Sequence, residues 1–179
     1  MKNSIYLIVV FFLVFAGCKK QLKEYPNVSI AQVIQDLKWD YNYAKVKNIF
    51  ESKYGLEFPE ELKLTQGKHK RNLTAFKFDG GKLSGLKSQY WSVTFDNDTL
   101  IDVLITIPSE TPKKCANTIL ELRDTINNLP YEKFPRINYE WILHDKGKAI
   151  GRIQMINSFG RGITISFSSN KFINKYSYM

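Results

Sequence analysis

Two hydropathy patterns predict an α+β domain: two main helices packed on one face of a mostly antiparallel sheet of about six strands, in the order α-β-β-β-α-β-β-β. Apolar residues recur at helical spacing from Ile30 to Ala44 and from Cys115 to Leu129. They alternate with polar residues at period two from Leu73 to Ile107 and from Ile137 to Phe167. Turn residues split each alternating stretch, so neighbouring strands join as hairpins. Helices segregated from such a sheet cover one of its faces.

The first helix opens with Ser29 and Gln32, spaced for a capping box, with Val28 and Val33 as the hydrophobic staple. Ile30, Val33, Ile34, Leu37, Tyr41 and Ala44 share one helical face. Beyond Trp39 the stripe moves to Tyr43, Val46, Phe50 and Tyr54, roughly opposite. Two readings follow: a break between Asp40 and Asn42 giving two helices, or one helix covered on both sides. The preferred reading is a single long helix ending at Gly55 in a left-handed cap. Residues 56–72 then carry Pro59 and the strongest basic cluster, Lys68, His69, Lys70 and Arg71. Such a run is either a contact for an anionic surface or a solvated loop.

The first strands place Thr74, Phe76 and Phe78, then Trp91, Val93 and Phe95, on alternate positions, with Gly80-Gly81 and Gly85 opening the loop between them. Asp96-Asn97-Asp98 has hairpin-turn chemistry. The return strand sets Ile101, Val103, Ile105 and Ile107 on one side and Leu100 and Leu104 on the other, which predicts a central strand covered in part on both faces. Thr111 caps the second helix, Pro112 takes its first position, and Pro130 prevents continuation beyond about Asn128. Three more strands alternate around Trp141, around residues 149–157 and around Ile165, joined by turns at Asp145-Lys146-Gly147 and at residues 158–162. Trp91 and Trp141 each precede a turn by a few residues, which suggests a tandem α-β-β-β duplication. The single domain spans residues 28–169 and a polar, aromatic tail spans 170–179.

The amino terminus is a different kind of sequence. After Lys2 the chain runs without charge from Asn3 to Gly17, stops at Cys18 and continues with Lys19 and Lys20. A charged start, an apolar middle and a small-residue exit describe an export signal. The apolar stretch is shorter than the roughly 20 residues that a membrane-spanning helix needs. Phe15-Ala16-Gly17-Cys18 resembles the lipobox of bacterial lipoproteins, with Phe15 where the family favours leucine. That resemblance implies cleavage of residues 1–17 and a diacylglycerol on Cys18; residues 19–27, with three Lys, one Glu, one Pro and no periodicity, read as a tether, so that lipidated cysteine and tether span 18–27. An Asp after the cysteine would imply inner-membrane retention, and an acidic run would imply surface export. Lys19 and Lys20 are neither, so the implied address is the periplasmic face of the outer membrane.

The chain has 26 Lys and Arg against 17 Asp and Glu, a formal charge of +9. Beside a lipid anchor this makes Lys19, Lys20, Lys68, His69, Lys70 and Arg71 candidate contacts for anionic headgroups. The compartment, rather than the charge, argues against nucleic acid as a partner. With Cys18 acylated, Cys115 is the remaining cysteine, so no intramolecular disulfide is possible, and its place on an apolar helical stripe reads as core. Paired His, Cys or carboxylate ligands are missing, as is a Gly-x-Ser-x-Gly elbow, and neither a metal nor another cofactor is expected. His144-Asp145 reads as a hairpin end rather than an acid–base pair. Asp98-Thr99-Leu100 resembles a short O-glycosylation acceptor pattern of some bacteria, which makes Thr99 a candidate modification site.

The expected function is therefore a lipid-anchored, non-catalytic envelope module. It would bind a protein or an envelope polymer through an exposed sheet face or through the aromatics Tyr90, Trp91, Tyr139 and Trp141. Two alternatives share the same address: an immunity lipoprotein that neutralises a toxin acting in the periplasm, and an enzyme acting on envelope substrates.

Overall fold

The computed structural model describes residues 24–59, 73–136, 139–158 and 160–169. The fold is α+β, with three helices among the described residues: α1 (Ile30–Asp36), α2 (Tyr43–Ser52) and α3 (Pro112–Asn127). The strands are β1 (Leu73–Asp79), β2 (Lys82–Leu83), β3 (Leu86–Lys87), β4 (Tyr90–Asp96), β5 (Thr99–Pro108), β6 (Glu132–Arg136), β7 (Glu140–Asp145), β8 (Lys148–Asn157) and β9 (Gly162–Ser168). Seven of them form one sheet in the order β1-β4-β5-β9-β8-β7-β6, antiparallel throughout, and β2 and β3 form a separate ribbon.

The capping box forms as the residue spacing predicts. Ser29 Oγ accepts from the Gln32 N–H at 3.1 Å, and Gln32 Oε1 accepts from the Ser29 N–H at 2.7 Å. The single long helix does not form. Leu37 turns to an extended conformation after α1, and α2 starts afresh behind Asn42, whose Oδ1 accepts from the Lys45 N–H at 3.1 Å. The reason lies in the two stripes. On one continuous helix Ile30, Val33 and Leu37 would point away from Val46 and Phe50; with the break, all five are buried in one core. Each such side chain contributes about 1.5–3 kcal/mol on burial, more than the net worth of about 1 kcal/mol for each helical hydrogen bond given up. The connector's backbone is also used: the Tyr41 carbonyl accepts from the Leu100 N–H at 2.9 Å, and the Tyr43 N–H donates to Asp98 Oδ1 at 3.0 Å. Gly55 does take the left-handed conformation, at φ +65°, beyond the end of α2. Asn42→Ala removes the cap and is expected to cost about 1 kcal/mol in urea unfolding; an unchanged midpoint would show that tertiary contacts alone set the break.

The sheet has seven strands, not six, because β6 adds an edge. Pro135 sits in it, and an edge strand tolerates the missing N–H that a central strand would not. The strand expected from Ile137 begins instead at Glu140, after Tyr139 at φ +56°. Trp91 and Trp141 each lie in the second strand from an edge of the sheet, in β4 beside β1 and in β7 beside β6, but β4 adjoins the central β5–β9 pair whereas β7 is separated from it by β8.

All three helices bury their apolar stripes against the same sheet face. Cys115, Ile119, Leu122 and Ile126 of α3 join Val103, Ile105, Ile153 and Ile165 in one apolar cluster with the buried residues of α1 and α2. Its densest part is aromatic: Phe58 meets Phe78 edge-on at 4.5 Å, and Phe50 meets Trp91 at 5.9 Å and 89°. Residues 25–27, read from sequence as the end of the tether, touch the domain. The Tyr25 ring lies over Gly80, and Asn27 Oδ1 accepts from the Gly85 N–H at 2.6 Å. No helix among the described residues is long and apolar enough to cross a membrane.

Candidate functional site

The opposite face of the sheet carries no helix among the described residues, and its centre is built by one irregularity. The β4–β5 register shifts so that Thr94 faces Asp102 while Phe95 faces Leu100, leaving Ile101 as the extra residue of a bulge. Leu100 thereby joins the core with Phe95, which corrects the expected side for Leu100, and Ile101 is buried outside the main apolar cluster. Asp102 is sent to the helix-free face. There it stands opposite Ser168 of β9, which in turn stands opposite Arg152 of β8.

This cross-strand row is a hydrogen-bonded cluster. Asp102 Oδ1 accepts from Ser168 Oγ at 2.7 Å and from Ser166 Oγ at 2.9 Å. Arg152 Nη1 lies 3.5 Å from Glu140 Oε1, with side chains only 15% and 17% exposed, and the buried Arg152 Nε has no acceptor among the described residues. Burial holds the Asp102 carboxyl above its ordinary range; the hydroxyls of Ser168 and Ser166 and the charge of Arg152 pull the other way. Nucleophilic catalysis needs an exposed hydroxyl with a base, whereas Ser168 is fully buried and both hydroxyls are directed at a carboxylate. These hydrogen bonds hold the cluster's side chains in fixed positions on the face.

Around the cluster the face is half-exposed and mixed. Thr106 and Thr164 stand opposite each other, Leu104 and Gln154 flank Ser166, and Ile156 at the far side is 48% exposed. Toward the β1 edge the Lys77 ammonium sits 4.4 Å from the centre of the Tyr90 ring.

The candidate aromatics divide cleanly. Trp91 and Trp141 are core, their indole N–H groups donating to Ser88 Oγ at 2.7 Å and Asn127 Oδ1 at 3.0 Å. Tyr90 is half-buried on the helix-free face, and Tyr139 is 44% exposed in the β6–β7 turn. Thr99 lies half-exposed beside the Asn97-Asp98 turn, opposite Asp96. Cys115 is buried, with Sγ against Asn157 Oδ1 and the Gly162 carbonyl. Cys18, Lys19, Lys20, Lys68, His69, Lys70 and Arg71 lie outside the described residues. Among the described residues no group of three or more His, Cys, Asp or Glu is placed to hold a metal ion.

A second feature lies on the helix side. Between α1, the α1–α2 connector and the β7–β8 hairpin is a hollow of about 470 Å³. Its floor is Val33, Leu37, Leu143 and Phe167, all buried. Trp39 forms a wall by lying on β8: a Cβ at Gly151 would come within 2.9 Å of its Nε1. Neither feature is evident from hydropathy. An acid inside the apolar run from Leu100 to Ile107 is the one sequence signal for the Asp102 cluster, and the change of stripe at Trp39 is the one signal for the hollow.

Comparison with known proteins finds no match: no family model, no curated protein and no solved structure matches the chain.

Proposed function

We propose that this is a lipid-anchored, non-catalytic binding protein of a bacterial envelope, held by Cys18 to the periplasmic face of the outer membrane. Its domain binds a protein partner on the helix-free face of the sheet. The observation that carries the reading is the asymmetry of the sheet: three helices cover one face, while the other presents half-exposed Leu104, Thr106, Gln154 and Ile156 around a rigid polar centre. A face stiffened by buried hydrogen bonds loses little side-chain entropy on docking, which favours affinity. The lipobox resemblance and the positive charge support the address, since lysines near an anionic leaflet add about 1 kcal/mol each.

Two measurements test this. Cys18→Ser is expected to move the full chain from the membrane to the soluble fraction and to remove the mass of the lipid; retention at unchanged mass defeats the anchor. A photoreactive phenylalanine analogue placed in cells at Thr106, Gln154 or Ile156 is expected to capture one partner. The same analogue at Leu120, exposed on α3, is expected to capture none. Equal capture from Leu120, or none from the sheet, defeats the docking face. A captured toxin from a neighbouring cell would make the protein an immunity lipoprotein.

A further inference from the structure

We propose that the hollow between α1, Trp39 and the β7–β8 hairpin is a binding site for a small amphiphile, an acyl chain carrying an anionic head. This goes beyond the docking role assigned to the other face of the sheet and does not depend on it.

The hollow opens to solvent past exposed Lys38 and Lys148, and its volume of about 470 Å³ falls within the roughly 300–1,000 Å³ of small-molecule sites. The backbone makes it. Leu37 leaves the helix for an extended conformation, so no further turn of α1 fills the space above β8. Trp39 can lie against the strand only because residue 151 has no Cβ, which would otherwise sit 2.9 Å from the indole nitrogen and 3.0 Å from the Ser168 carbonyl. A glycine with ordinary φ is thus required by a side chain that lines the hollow.

The lining states the chemistry of the occupant. The floor is hydrocarbon and phenyl, and half-buried Ile34 and Ile150 extend it toward the mouth. Water on such a surface is displaced favourably by an apolar body, at about 25 cal/mol per Å² covered. At the mouth, exposed Lys38 stands on the connector and exposed Lys148 on the hairpin, against the single carboxylate of Asp145. Two ammonium groups to one carboxylate favour an anionic head. Arg152 also borders the hollow, but its guanidinium is paired with Glu140. A fatty acid and one chain of an anionic phospholipid share this chemistry.

The test uses the full-length, lipid-anchored chain in phosphatidylcholine vesicles with a diazirine-labelled palmitate. Photolysis is expected to label peptides containing residues 33–39 and 148–152. Excess palmitate should abolish the label, while hexadecanol, which lacks the charge, should compete at least about tenfold less well. Lys38→Glu with Lys148→Glu, both at exposed positions, should weaken labelling by about tenfold. Ala149→Trp and, separately, Ile34→Trp should fill the hollow and remove the label. Competition by phosphatidylglycerol equal to that by palmitate identifies a lipid chain as the occupant; competition by palmitate alone identifies the free acid. Labelling outside these peptides, labelling that neither competitor reduces, or labelling indifferent to the charge reversal overturns the proposal.

Discussion

Gly81→Ala is expected to destabilise the domain by about 4 kcal/mol, a large share of the roughly 5–15 kcal/mol of a typical domain. Two costs add. Gly81 holds φ at +98°, where a side chain costs about 1–3 kcal/mol in backbone strain. The new Cβ would also stand 2.5 Å from Trp91 Nε1 and 2.9 Å from Ser88 Oγ. Neither can retreat freely. Trp91 is fully buried and hemmed in by Phe50 and Tyr54, and its N–H donates to Ser88 Oγ, whose own proton goes to the Gly80 carbonyl at 2.8 Å. Overpacking such a site costs about 1–3 kcal/mol more. Gly85→Ala is the control, since Gly85 has φ +84° but nothing within 4 Å of a Cβ. Urea unfolding followed by tryptophan fluorescence should show Gly85→Ala losing only the strain. Equal losses in the two variants would mean that the contact with Trp91 contributes nothing.

The same loop shows where sequence reading succeeds. Gly80, Gly81 and Gly85 mark a turn because each takes a positive φ, and Ser29-Gln32 and Thr111-Pro112 mark helix starts because each cap is fixed by residues three apart or closer. The features that the sequence missed, or left as the less favoured of two readings as with the helix break, depend on distant neighbours. The break at Leu37 to Asn42 is set by a sheet that both stripes must reach, and by Leu100 and Asp98, which bond the connector from more than 50 positions away. The bulge at Ile101 looks, in sequence, like an unbroken alternation with its parity reversed, so Leu100 and Ile101 exchanged faces. β6 carries Pro135, which a strand tolerates at an edge, and which strand lies at the edge is settled only by the assembled sheet. Both candidate sites inherit this non-locality. Asp102 meets Ser166 and Ser168 across 64 and 66 positions, and Trp39 meets Gly151 across the domain.

Asp102 makes a prediction of its own, because burial gives this carboxyl a folded-state affinity for protons above its ordinary value of 3.8. Between that value and the raised folded one, the folded chain binds more protons than the unfolded chain. Stability must therefore fall as pH rises through this window and level off above it. Asp102→Asn cannot titrate, yet it keeps an Oδ1 to accept from Ser166 and Ser168. Its stability relative to the natural chain is expected to rise with pH across the window, by at most about 1.4 kcal/mol per pH unit, and then to plateau. Arg152 tempers the gain, since losing the nearby negative charge leaves Glu140 as its partner at 3.5 Å. The slope, rather than the offset, is thus the diagnostic. Urea unfolding of both chains from about pH 4 to about pH 8 supplies it. A stability difference independent of pH would show that Ser166, Ser168 and Arg152 together offset the burial of the carboxyl, leaving its proton affinity the same in the folded and unfolded chain.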